Sequence, residues 1–145
     1  LIKRMGLPNV TISFLPVLIA AVASMAVGMV WYSPAVFGRS WMKLSGLTPT
    51  RLNKTKKEGM GKSYLAAFIG ALITSYVLAL FVKYTTASTF GDALQLGFWV
   101  WLGFVVPMIL GTVLWEGKSV RLYFINIFHY LVSLVVMSLI LVSWQ

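Results

Sequence analysis

Apolar residues in this chain gather into four runs free of Lys, Arg, Asp and Glu, at residues 5–38, 63–82, 93–115 and 122–145. A helix needs about 20 residues, at about 1.5 Å rise each, to cross a hydrocarbon core of about 30 Å. Each run is long enough. None alternates apolar with polar positions, as the strands of a transmembrane barrel do. A helix also satisfies its own backbone N–H and C=O groups where water is missing. The pattern therefore predicts an all-α fold, an integral membrane four-helix bundle forming a single transmembrane domain over residues 1–145. Helices are expected over about 10–33, 63–83, 92–115 and 120–143, with a cytoplasmic amphipathic loop over 34–62 between helices 1 and 2.

Punctuation refines this picture. Pro16 falls in the first two turns of the first helix, where a missing N–H matters least. Ala20, Ser24 and Gly28 follow at intervals of four, a small-residue stripe of the kind that lets helices approach closely in lipid. Trp31 and Tyr32 mark a headgroup level, and Pro34 ends the helix. If residues 36–44 are helical, Phe37, Trp41 and Leu44 share one face and Arg39 and Lys43 the other, the pattern of an in-plane interfacial helix. Gly46 would stop it. Thr48 and Pro49 then offer a cap and a first-turn proline for a short polar helix over 49–58, closed by Gly59 and Gly61. The second run carries two small stripes, Ala66, Gly70, Thr74 and Ala67, Ala71, Ser75, Ala79, so it is expected to be the span buried between neighbours. Thr89 and Asp92 fit a capping-box variant. Gly103, Pro107 and Gly111 form one stripe on the third helix. The link Glu116-Gly117-Lys118-Ser119 is so tight that helices 3 and 4 must be antiparallel neighbours.

Composition agrees. Of 145 residues, 59% are apolar and 10% charged, against roughly a quarter charged in a soluble domain. The net charge of +9 is not a nucleic-acid signature, because most of it lies in one loop beside membrane helices. The loop over 34–62 holds Arg39, Lys43, Arg51, Lys54, Lys56, Lys57 and Lys62, and the tight link adds Lys118 and Arg121 on the same side. Lys3, Arg4 and Lys83 lie opposite. Nine cations against three place both loops in the cytoplasm and both termini outside the cell membrane. Cysteine is missing, which removes disulfides and thiol chemistry. The first run is too long for a signal peptide and has no small-residue cleavage site before Trp31. The chain opens on Leu1, as a leucine-type start codon read literally or a truncated sequence would give.

Polar residues inside spans are the functional candidates. Asn126, His129 and Ser133 share one face of the fourth helix, with His129 near mid-depth. They could form a proton relay, a ligand set or a solute contact. They could also serve packing: Pro107 frees the carbonyl of Gly103, and His129 or Ser133 is expected to satisfy it across the helix 3–4 contact. A lone His, without a second imidazole or thiolate, implies no metal site, and no cofactor is expected. Glu116 sits at a helix C-terminus, where the dipole disfavours it. Lys118, Arg121, Arg39 and Lys43 are the near cations. An interfacial ion pair locking the tight link to the long loop is one reading; a cytoplasmic-side proton or cation acceptor is the other. No paired intramembrane carboxylate, HExxH, GxSxG or phosphate loop points to hydrolysis or phosphotransfer.

The segments Gly28-Met29-Val30-Trp31-Tyr32-Ser33-Pro34 with Phe37-Gly38 and Trp41, Gly97-Phe98-Trp99-Val100-Trp101-Leu102-Gly103-Phe104, Trp115-Glu116-Gly117 and Ile125-Asn126 resemble a family of small four-helix membrane proteins catalogued as a domain of unknown function. The resemblance covers nearly the whole chain. It implies four spans and carries over no catalytic residue. The leading expectation is a non-enzymatic protein in contact with the lipid bilayer that forms a homo-oligomer or joins other membrane subunits. The alternative is a channel or transporter for a small solute or protons, with Asn126, His129 and Glu116 along the path. A third reading is a site for a lipid, quinone or pigment between aromatic helix ends.

Overall fold

The computed structural model describes residues 8–47 and 49–144. Lys3 and Arg4, which enter the charge count, and Thr48, the expected cap, lie outside the described residues. Among those described, all regular structure is helical, and four spans are long and apolar enough to cross a membrane.

Helix α1 runs Phe14–Trp31, four residues later than the pattern suggested. Pro16 explains the delay. A helix begun at Val10 would hold Pro16 in its interior, against the carbonyl of Ile12. Begun at Phe14, it holds Pro16 in the first turn, where no N–H is needed. The helix ends at Trp31, and a compact turn follows in which Gly38 donates to the Ser33 carbonyl at 2.9 Å. A side chain on Gly38 would collide with the Tyr32 carbonyl, so this turn requires glycine. Helix α2, Gly38–Ser45, is the expected amphipathic segment. Phe37, Trp41 and Leu44 are partly covered and Arg39 and Lys43 exposed. Gly46 stops it in the left-handed region at φ 74°.

Helix α3 spans Pro49–Thr85 and joins what the sequence divided in two. Gly59 alone leaves helical geometry (φ 113°, ψ 73°), producing a kink, while Gly61 stays in the helix. The third span is broken instead of continuous: α4 is Phe90–Phe104, α5 Val106–Ile109 and α6 Gly111–Leu114. Its start is the predicted capping box. Asp92 accepts from Ser88 and Thr89 N–H at 3.0 Å each, and Thr89 Oγ1 accepts from Asp92 N–H at 3.1 Å. The breaks at Val105 and Leu110 flank Pro107, which cannot donate and whose ring crowds the preceding turn. Helix α7 is Val120–Ser143, begun by Ser119 Oγ accepting from Arg121 and Leu122 N–H.

The helices are not packed as four equal partners. Helix α7 is the centre, lying against α1 on one side and α4 on another, while α3 packs chiefly on α1. In the most apolar stretch of each span, 44% of α7 is buried, against 22% for α1, 22% for α3 and 11% for the broken third span. This corrects the expectation that the second span is the buried one. Small residues permit close approach but bring little surface of their own. Ala66, Gly70 and Thr74 are exposed, and among the described residues of α3 those buried are Ser75, Leu78, Ala79 and Val82. Ser75 Oγ there donates to the Val17 carbonyl at 2.8 Å, beside the fully covered Ala20. The closest approach lies elsewhere: a Cβ on Gly97 of α4 would stand 2.9 Å from Val135 Cα of α7.

Gly97 should therefore be the least replaceable of the spanning glycines. Gly97→Ala is expected to destabilise the fold by about 1–3 kcal/mol, the range for overpacking. Gly70→Ala, with open space around it, should be neutral. Unfolding midpoints of the two variants in the same micelles check this, and equal midpoints would refute it.

Candidate functional site

The C-terminal end of α1 and the N-terminal half of α7 are joined by polar groups carried on aromatic rings. Trp31 Nε1 donates to the Ile125 carbonyl at 3.0 Å, and the Tyr32 hydroxyl donates to Asn126 Oδ1 at 2.8 Å. One turn further along α7, the His129 ring lies 5.0 Å from that of Tyr32, 5.0 Å from that of Tyr130 and 6.4 Å from that of Trp31. Its Nε2 pairs with Ser133 Oγ at 3.4 Å. A Cβ on Gly28 would approach His129 Nε2 to 3.3 Å, so the glycine makes room for the ring. His129 Nδ1 is buried without a partner.

Asn126, His129 and Ser133 thus share a face, as their spacing required, but that face meets α1 and not the third span. Neither His129 nor Ser133 bonds to the Gly103 carbonyl, which corrects that expectation. The reason is rotational. Positions 127 and 129 lie about 200° apart around a helix. The Ile127 side of α7 faces α4, where Trp101 Nε1 donates to the Ile127 carbonyl at 2.6 Å and Trp101 stacks on Phe128 at 5.8 Å.

The proline break finds another partner. Tyr123 donates its hydroxyl to the Val106 carbonyl at 2.7 Å, and Thr112 Oγ1 donates to the Ile109 carbonyl at 2.9 Å. Gly103 and Pro107 are exposed, and among the described residues no side chain bonds to the Gly103 carbonyl. Glu116 pairs with Lys118 at 3.8 Å, both more than half exposed. No ion pair from Glu116 to Arg39, Lys43 or Arg121 occurs among the described residues, so the proposed lock between link and loop is not formed. An exposed pair of this kind contributes little to stability.

Trp31, Tyr32, Trp101 and Tyr123 are the polar partners that sequence reasoning missed. Each is an aromatic residue in an apolar run; the sequence pattern marks Trp31 and Tyr32 as headgroup residues and gives Trp101 and Tyr123 no polar role. The available signal was amphipathic chemistry: a buried indole or phenol carries a donor that must be used.

A cleft of about 690 Å³ opens beside His129, between α1, α3 and α7. Its α3 wall is formed by Tyr64, Ala67, Gly70, Ala71 and Thr74. The small residues expected to draw helices together instead leave space. Among the described residues no three His, Asp or Glu side chains come together.

Fold and site together define a helical membrane protein with four candidate spans and a polar cluster where the first and last spans meet. The chain belongs to the family described as protein of unknown function DUF1761, whose model matches residues 15–142. No curated protein and no solved structure matches it.

The Tyr32–Asn126 bond should be measurable as a coupling. Tyr32→Phe and Asn126→Leu are each expected to destabilise, and the double variant to lose about 0.5–1.5 kcal/mol less than the sum. Burial, aided by nearby Tyr130, pushes the Tyr32 phenol up to about 12. A group raised in the folded state stabilises below its unfolded pKa of about 10. The Tyr32 contribution should therefore be constant to pH 9 and decline from about pH 10 to about 12. Additive single variants would refute the coupling.

Proposed function

We propose that the protein is a non-enzymatic subunit of a membrane assembly, a homo-oligomer whose protomers meet across the broken third span. The observation that carries this is the uncovered proline break. Gly103 lies about 20 Å along the span from Phe90, well inside the hydrocarbon. Pro107 leaves the Gly103 carbonyl without its helical donor at that depth, and a carbonyl there that finds no other donor costs several kcal/mol. Met108 and Phe104 flank the break with 73% and 63% of their surface exposed. A second copy laid against this face would cover the break, set the Gly103 and Pro107 groove against those bulky side chains, and close a twofold contact. Support for a channel or transporter is weaker. Glu116 lies in the exposed link with Lys118, and Asn126 Oδ1 already accepts from Tyr32.

The charge distribution supports an orientation in the cell membrane with segment 34–62 and the Glu116 link in the cytoplasm and both termini outside. The cysteine-free chain makes both readings testable with single cysteines. Under mild oxidation in native membranes, Met108→Cys is expected to give a disulfide-linked dimer in high yield, and Val22→Cys, exposed on α1, little. Equal yields would overturn the helix-3 contact. Lys57→Cys should be shielded in intact cells from a membrane-impermeant maleimide and labelled after permeabilisation. Labelling in intact cells would invert the orientation.

A further inference from the structure

The cleft beside His129 lies between α1, α3 and α7 and shares no lining residue with the break at Val105 and Leu110, although Thr74 and Leu134 also border an apolar groove that reaches Phe104 of α4. Its chemistry is specific. No Lys, Arg, Asp or Glu lines it. A phosphate or carboxylate head would enter without a counter-charge, at a large desolvation cost. Yet the lining is not simply apolar. Ser24, Thr74, Tyr64 and Tyr130 all line the cleft, and none of their hydroxyls makes a hydrogen bond to a described residue. Ser24 and Thr74 sit within spans, where such hydroxyls would ordinarily bond to a carbonyl of their own helix. The buried Nδ1 of His129 is unpartnered as well. Met25, Met29 and Met137 complete the lining with flexible apolar surface, suited to fitting chains of irregular shape. The volume of about 690 Å³ falls within the range of small-molecule sites, and Gly70 holds the space open, with nothing within 4 Å of where its Cβ would be.

We propose that this cleft binds a neutral lipid, its uncharged oxygen-bearing head set among the four hydroxyls beside His129 and its apolar tail against the methionines. Isoprenoid quinones and diacylglycerols share this chemistry. A charged phospholipid does not.

The test uses the full chain in micelles, with equilibrium binding of decylubiquinone and of dioctanoylglycerol measured separately and dioctanoyl-phosphatidylglycerol as competitor. Saturable, one-to-one binding of either neutral probe, undisturbed by the charged lipid, is expected. The probe that binds identifies the source. Gly70→Phe, which fills the cleft from an open position, should weaken binding at least tenfold with an unchanged unfolding midpoint. Thr74→Val, nearly isosteric, should weaken it severalfold and decides the matter if Gly70→Phe fails to fold. Failure of both neutral probes, equal competition by the charged lipid, or binding that survives both substitutions would overturn the proposal. Dimer formation through Met108→Cys is a separate readout, so either proposal can fail alone.

Discussion

Two indole hydrogen bonds hold α7 from opposite sides. Trp31 reaches the Ile125 carbonyl from α1, and Trp101 reaches the Ile127 carbonyl from α4. The acceptors are two residues apart, on opposite faces of one helix. In hydrocarbon, apolar surface gives helices no drive to associate, so packing and polar contacts must do it. These two donors fix the rotation of α7, and the rotation fixes what else can meet. Asn126 and His129 are turned to α1, and Val135 is turned to Gly97. Tyr123 is brought to the proline break.

The distribution of contacts follows. Because α7 is gripped on both sides, it supplies more of the core than any other helix, from Leu122 to Val142. Helix α3 is attached along one part of its length, through Ser75, Leu78, Ala79 and Val82 to α1. Its opposite stretch, around Ala67 and Gly70, stands away and leaves the cleft. The third span is attached through α4, while α5 and α6 are held to α7 more lightly, with the Tyr123 hydroxyl as their side-chain tie.

The sequence made the number of spans, their type and several boundaries plain. Charge-free runs fix the spans, Ser119 and Gly117 fix the entry to α7, and Thr89 with Asp92 fixes the start of α4. Burial and neighbours were hidden for a physical reason. A spanning helix is apolar on every side, so no amphipathic stripe tells which face meets protein and which meets lipid. Spacing therefore put Asn126, His129 and Ser133 on one face without revealing that the face belongs to α1. The small-residue stripe on α3 was open to two meanings, close contact or deliberate space. At Ala66, Gly70 and Thr74 it is space.

The indole clamp has a further consequence for how this chain can vary. Both tryptophans recognise main-chain oxygens, which every residue carries. Positions 125 and 127 can thus exchange among side chains of similar bulk without loosening the grip, although both are buried at 7% and 3% exposure. The donors enjoy little such freedom, because among apolar side chains only the indole and the phenol carry a donor, and the two place it differently. Sequence drift should therefore be lopsided at this joint, tolerant on the helix that is held and strict on the two that hold it.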